Sequence, residues 1–79
     1  MTHIMTISGG ESDRVDVYRE GNEIFVLTQN QSLGYLGLEV FKDGELTGDV
    51  FFEGDAAAEV IGRGNPSPPT LIKTLSEYI

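Results

Sequence analysis

The side chains that could do chemistry in this chain are almost all carboxylates. Thirteen Asp and Glu residues stand against five Lys and Arg, His3 is the single histidine, and cysteine is absent. Nucleophilic catalysis needs an activated nucleophile beside an oriented base, and a histidine at the chain terminus is a poor base. Paired carboxylates could act as acid and base, but they need a substrate cleft, and a thin single sheet leaves little room for one. We therefore expect that the protein is not an enzyme.

The acids do not have the spacing of a metal site. Without cysteine, and with one histidine, a metal ion would have to be held by carboxylates. The acids between Asp43 and Asp55 do not match the calcium-loop pattern, which needs a central glycine and a glutamate at the twelfth position. The sequence predicts neither a metal nor a cofactor.

The glycine-rich segment at residues 62–67 precedes a predicted helix, so a phosphate cradle is conceivable there. Three features oppose it. The preceding segment has a helical pattern rather than that of a strand, Pro68 and Pro69 remove two N–H donors, and the net charge of −8 repels phosphate. We interpret the segment as a connection between two helices.

The net charge of −8 excludes several partners. It repels nucleic acid and anionic lipid surfaces, so we expect neither direct nucleic-acid binding nor membrane binding. No apolar run approaches the ~18–20 residues that span a bilayer, and residues 1–7 lack the pattern of a signal peptide. We expect a cytoplasmic protein. The acidity serves either solubility alone or docking of a basic protein surface.

The acids must be positioned by the secondary structure of the chain. The sequence predicts strands in its first part and helices in its last part, an order typical of an α+β domain. Alternation over residues 15–19 and 24–28, around the turn pair Gly21-Asn22, predicts a hairpin. Its two-residue loop places Tyr18 opposite Phe25, and Glu20 opposite Glu23. The second of these is an unfavourable like-charge pair.

A second hairpin is predicted over residues 35–52, and two registers are possible for it. A two-residue Asp43-Gly44 turn mixes the two faces of the sheet. A three-residue loop with a bulge at Gly44 places Val40 opposite Leu46 and makes one face uniformly apolar. We choose the second register, because burial specifies register.

The C-terminal part of the chain predicts two short helices. Asp55 is expected to cap the first, which ends at Gly62 or Gly64. Ser67 caps the second, with Pro68 at its first position. The predicted fold is α+β, with residues 1–79 in one domain: an antiparallel sheet of four to five strands, an edge strand near residues 4–7 included, and two short C-terminal helices packed on one face.

The sheet face opposite these helices is the predicted contact surface. By strand alternation it carries aromatic side chains together with acids, and further acids lie at the hairpin ends. Either this composition marks a contact surface, or the N-terminal segment or a loop covers the aromatic residues. The predicted partner-binding residues are Asp16, Tyr18, Glu20, Glu23, Phe25, Tyr35, Glu39, Asp43, Glu45, Asp49 and Phe51.

The order of elements is similar to that of small phage-encoded anti-CRISPR proteins that inhibit type I surveillance complexes. The similarity covers residues 15–79: the hairpin at 15–28, a second strand pair, a short helix, the Gly/Pro break at 62–69 and the closing helix at 71–79. It implies a stoichiometric inhibitor that blocks a basic nucleic-acid-binding surface of a CRISPR effector subunit in the cytoplasm of a host bacterium.

The leading hypothesis is therefore a phage or mobile-element inhibitor whose spaced carboxylates mimic nucleic-acid phosphates on a basic partner. The first alternative is a toxin-immunity or adaptor protein with a basic protein partner. The second is a plain subunit or homodimer held by the aromatic face. The sequence leaves open whether the protein is a monomer or a homodimer.

Overall fold

The computed structural model describes residues 1–9, 13–30, 32, 34–62, 64 and 66–79. Its sheet has five strands in the order β1-β2-β3-β4-β5, and each strand is antiparallel to the next in the sequence. The α+β fold with two C-terminal helices is as predicted. The elements are β1 (Thr2–Gly9), β2 (Asp13–Glu20), β3 (Glu23–Asn30), β4 (Tyr35–Lys42), β5 (Glu45–Glu53), α1 (Gly54–Ile61) and α2 (Pro68–Ser76).

The first hairpin, β2–β3, has the predicted register. Gly21 has a φ of 61°, which glycine adopts without steric cost. Tyr18 lies opposite Phe25, and Glu20 lies opposite Glu23. The predicted edge strand near residues 4–7 is also present as β1, which pairs with β2.

The second hairpin, β4–β5, has a register that differs from both alternatives. Its turn contains two residues, Asp43 and Gly44, with φ values of 52° and 79°. Positive φ at both central positions is typical of the tight hairpin turns that match strand twist. Lys42 therefore lies opposite Glu45, and the predicted three-residue loop is wrong.

A bulge next to this turn explains how a short turn and an apolar face coexist. The register shifts between Val40 and Phe41, so that Val40 lies opposite Gly48 rather than Leu46. The hydroxyl of Thr47 donates a hydrogen bond of 3.1 Å to the carbonyl oxygen of Val40. The one extra residue in β5 returns Val50 to the side of the sheet that faces the helices.

The helices begin and end largely where local signals predict. The N-cap of α1 is Glu53 rather than Asp55, which lies in the first turn. Gly62 ends α1, with its N–H donating to the Ala58 carbonyl at 3.0 Å. The Ser67 hydroxyl caps α2 by accepting from the N–H of Thr70 at 3.4 Å.

Both helices lie on one face of the sheet, α1 over β4 and β5, and α2 over β3 and β4. Apolar side chains of the three strands meet those of the two helices there, and water is excluded from the layer between them. The buried core consists of Phe25, Leu27, Leu36, Leu38, Val40, Ala57, Leu71, Ile72 and Leu75.

This core contradicts the predicted faces of β2 and β3. Phe25 pairs with Val40, and Leu27 pairs with Leu38, so they lie on the helix side. The partners of Phe25 and Leu27 on β2 are Tyr18 and Asp16, which follow them to that side. The prediction that Asp16, Tyr18 and Phe25 are on the opposite face is wrong, because the register of β3 against β4 places Phe25 beside Val40 on the helix side.

Candidate functional site

The face of the sheet opposite the helices carries several exposed apolar side chains, and we call it the open face. Strand register arranges its side chains in rows that cross all five strands. One row reads Ile7, Val15, Thr28, Gly37 and Phe51, and the adjacent row reads Met5, Val17, Val26, Glu39 and Asp49. A third row adds Arg19, Ile24, Phe41 and Leu46.

The apolar side chains of the open face are accessible to solvent. Met5 is 48% exposed, Ile7 55% and Phe51 59%, while Val17 and Val26 are half-buried by their own neighbours. No described helix or strand lies over this face. Soluble monomers rarely expose a contiguous apolar patch of this kind, and such patches mark interaction sites.

Charge on the open face is concentrated on β4 and β5. Glu39 lies directly opposite Asp49, and both side chains are exposed. Two like charges at opposite positions of neighbouring strands destabilise a sheet. The open face therefore has a mainly apolar half on β1–β3, whose charged residues are Asp13 and Arg19 at the two ends of β2, and an acidic half on β4–β5.

Two aromatic rings stack on each other across β4 and β5 at one end of the open face. The rings of Tyr35 and Phe51 are stacked, with centroids 5.9 Å apart and planes at 16°. A Cβ atom added at Gly37 would lie 2.9 Å from the Tyr35 hydroxyl, so the Tyr35 ring lies against the backbone of Gly37. Glycine at position 37 is what allows this close approach.

Asp16, one of the predicted contact residues, is fully buried on the other side of the sheet. It accepts hydrogen bonds from Arg14 Nε at 2.9 Å, from Arg14 Nη2 at 3.3 Å, and from the Thr6 hydroxyl at 2.5 Å. The side-chain hydrogen bond to Asp16, and then the attraction of its charge, raise the pKa of Arg14 above its ordinary value. A buried carboxylate needs such partners, so Asp16 links β1 to β2 and is unavailable to a binding partner.

His3, although it is close to the chain terminus, lies in strand β1 and belongs to the same network. Its Nε2 lies 2.7 Å from the Thr6 hydroxyl oxygen, and its ring centroid lies 5.0 Å from that of Tyr18. Because the single hydroxyl proton of Thr6 is donated to Asp16, His3 must donate to Thr6. A histidine that donates cannot act as a base toward this hydroxyl, so the arrangement does not activate Thr6 as a nucleophile.

The eleven predicted contact residues thus do not form one surface. Two of them, Asp16 and Phe25, are buried, and Tyr18 is half-buried against the core. On the open face the structure brings together Tyr35, Glu39, Asp49 and Phe51. The remaining four residues lie at the end of the sheet that carries both hairpin turns: Glu20, Glu23, Asp43 and Glu45.

Glu20 and Glu23 border a groove between that end of the sheet and α2. The groove has a volume of about 760 Å³, with Phe25, Val40 and Ile72 in its lining and Lys73 on the helix side. A volume of this size is within the range of small-molecule sites. The expectation that this fold has little room for a cleft is therefore wrong.

The aliphatic residues of the open face were not among the predicted contact residues: Met5, Ile7, Val15, Val17 and Val26. A signal was available, because β2 and β3 carry apolar residues on both sides of the strand. A strand with one solvated face should alternate cleanly between apolar and polar residues. Apolar residues on both sides indicate that a second surface is to be covered.

Other kinds of site receive no support within the described ranges. No three His, Asp or Glu side chains come close enough there to hold a metal ion. Neither α1 nor α2 has the length or the apolar character needed to cross a bilayer. The glycine-rich segment contains Arg63 and Asn65, which lie outside the described residues, so the structure does not test a phosphate cradle there.

Comparison with known proteins gives no relative. No family model, no curated protein and no solved structure matches the chain. Function must therefore be inferred from the surface of the molecule itself.

Proposed function

We propose that this protein is a non-catalytic binding protein that docks a partner protein on its open face. The observation that carries the proposal is the contiguous apolar surface of β1–β3, which continues into the acidic row of Glu39 and Asp49. A surface that is apolar in one half and negative in the other complements a partner that presents apolar side chains beside Lys or Arg.

The energetic division between the two halves follows from their chemistry. The apolar half supplies affinity through removal of surface from water, at roughly 25 cal/mol per Å² before the costs of association. The acidic half supplies orientation and a faster encounter with a basic surface. Because exposed charges are screened by salt, added salt should weaken the complex without abolishing it.

The more specific proposal is that the partner is a nucleic-acid-handling effector and that the protein inhibits it. It rests on the resemblance to small anti-CRISPR proteins and on the excess of carboxylates. Asp49 and Glu53 lie on the same side of β5, four residues apart, together with Glu39 of the neighbouring strand. Spaced carboxylates of this kind can take the place of phosphates in a basic groove.

Binding to a purified type I surveillance complex, measured at low and at high salt, tests the proposal. Phe51→Ser is the open-face variant, and Tyr78→Ser is its matched control, since Tyr78 is an equally exposed aromatic (57%) away from the open face. Asp49→Asn is paired in the same way with Asp55→Asn, an exposed acid on α1. We expect the two open-face variants to weaken binding about tenfold each, near 1.4 kcal/mol, and the two controls to bind normally.

Equal losses for open-face and control variants would contradict the assignment of the face. Binding that does not change with salt would contradict the role of the acids. If the chain binds no surveillance complex but neutralises a basic toxin nuclease, the immunity alternative replaces the inhibitor. If it binds neither at low salt, the mimicry proposal fails.

A further inference from the structure

The two edges of the sheet differ in their protection against further strand pairing. All eight residues of β1 are exposed, and the strand contains neither a charged residue nor a proline. The opposite edge, β5, carries Glu45, Asp49 and Glu53 at every fourth position. Charged residues on an edge strand prevent its pairing with another chain, so β5 is protected and β1 is not.

We infer that two copies of this chain associate through their β1 strands, which pair antiparallel and extend the two sheets into one continuous sheet of ten strands. The occupant of the β1 edge is thus a second copy of the chain. This inference does not depend on the identity of the partner proposed for the open face.

The distribution of charge favours a second copy at this edge. A chain with a net charge of −8 repels its own copies, so self-association requires the contact that brings the fewest acids together. β1 has no acid, and β2 behind it carries three acids and two arginines. β4 and β5 carry four acids and one lysine. Self-association through the β1 edge therefore causes less charge repulsion than self-association through the β5 edge.

The geometry of β1 also permits the pairing. Its register shifts once, between His3 and Met5, and beyond that point residues 5–9 pair regularly with residues 13–17 of β2. The helices lie over β3, β4 and β5 and do not obstruct this edge. Thr6 donates a hydrogen bond to the buried Asp16, so β1 is already ordered in the monomer. Little conformational entropy of β1 is therefore lost when a second strand pairs with it.

The two β1 strands can pair so that both open faces lie on the same side of the ten-stranded sheet. In that arrangement, Met5 and Ile7 of both copies form one apolar surface. Aliphatic cross-strand pairs stabilise such a ladder, and the open face of the dimer becomes twice as wide. A single strand pair buries less than the ~1,600 Å² of a standard stable interface. We therefore expect reversible association that depends on concentration.

Sedimentation equilibrium from micromolar to millimolar concentration tests the inference on the full chain alone. The wild-type mass should rise from 8.6 kDa toward twice that value. Ile7→Lys places a charge on the unprotected edge, and Leu46→Lys is its matched control, because Leu46 is similarly exposed (51%) on the same face of the opposite edge. We expect Ile7→Lys to raise the dissociation constant at least tenfold and Leu46→Lys to leave it within twofold.

Amide hydrogen exchange separates edge pairing from packing of two open faces. Edge pairing should slow exchange at least fivefold in residues 5–9 as concentration rises, because outward-pointing N–H groups of β1 gain hydrogen bonds. Wild-type chain that stays monomeric at millimolar concentration overturns the inference. So does equal weakening by the two lysine variants, or a dimer in which exchange in β1 does not change. A monomeric wild type leaves the partner proposal for the open face unchanged, whereas a dimer without slowed exchange in β1 indicates that two open faces pack against each other.

Discussion

Leu27 and Val26 are neighbours on β3 that face opposite sides of the sheet, and their truncation tests which side is the core. Leu27 has no exposed surface and lies in the row of Asp16, Leu38 and Val50 beneath the helices. Val26 is half-buried on the open face, where its surroundings can relax and water can enter. We expect Leu27→Ala to cost far more stability than Val26→Ala.

The magnitudes follow from the burial of each side chain. Truncation of a buried leucine to alanine costs about 2–5 kcal/mol, which includes the cavity left behind. Substitution on a half-exposed sheet surface changes stability by about 1 kcal/mol or less. A domain of this size is stable by roughly 4–12 kcal/mol, so Leu27→Ala removes a large share of the total.

Thermal unfolding followed by circular dichroism, at a concentration low enough to keep the chain monomeric, measures both losses. About 1 kcal/mol shifts the Tm of a small domain by about 4–8 °C, so we expect a loss of at least about 8 °C for Leu27→Ala and of less than about 8 °C for Val26→Ala. If Leu27→Ala does not fold, Leu27→Val should still lose more than Val26→Ala. Equal losses, or a larger loss for Val26→Ala, would refute the assignment of the two faces.

Two further predictions concern a buried charge and a turn. Asp16→Asn keeps the shape of the side chain but removes the charge that accepts from Arg14, so we expect a loss of about 1.5–3 kcal/mol in urea unfolding. The pKa of Arg14 is raised in the folded state, so its stabilising contribution is complete below the ordinary arginine pKa and is lost only as pH rises through the raised value. The loss in Asp16→Asn should thus be the same at neutral and mildly alkaline pH, and a wild-type-like variant would contradict the role of the network. Gly44→Ala should cost about 1–2 kcal/mol, because Gly44 has a φ of 79°, whereas Gly9→Ala, also in open space but without a positive φ, should be neutral; equal effects would contradict the turn geometry.

Local signals predicted the elements well. Gly21-Asn22 fixes a two-residue turn through backbone freedom alone, and the register of β2–β3 follows from it. Ser67 and Pro68 define the start of α2 through one hydrogen bond and one preset φ. Each of these signals acts within a few residues, so it is readable without the rest of the fold.

The register of β4–β5 shows where local reasoning stops. The tight turn at Asp43-Gly44 and the uniform apolar face were treated as alternatives, because a continuous ladder allows only one of them. The bulge at Thr47 allows the tight turn and the apolar face to occur together. The Thr47 hydroxyl bond to Val40 that accompanies it joins the two strands and has no signature in the sequence of either.

The sequence by itself determined the order of strands and helices, the acidity of the chain and the absence of a protecting charge on β1. Only the tertiary structure decided which side of β2 and β3 is buried, and so moved Asp16 and Phe25 from the predicted contact surface into the interior. Both sides of those strands carry apolar residues, so their own pattern does not distinguish them. Burial of the side with Phe25 and Leu27 is favoured over burial of the other side by contacts with α2, more than forty residues away in the chain. The α2 residues that make the core there are Leu71, Ile72 and Leu75. The register of β3 against β4, which puts Leu27 and Leu38 on the same side, favours the same burial.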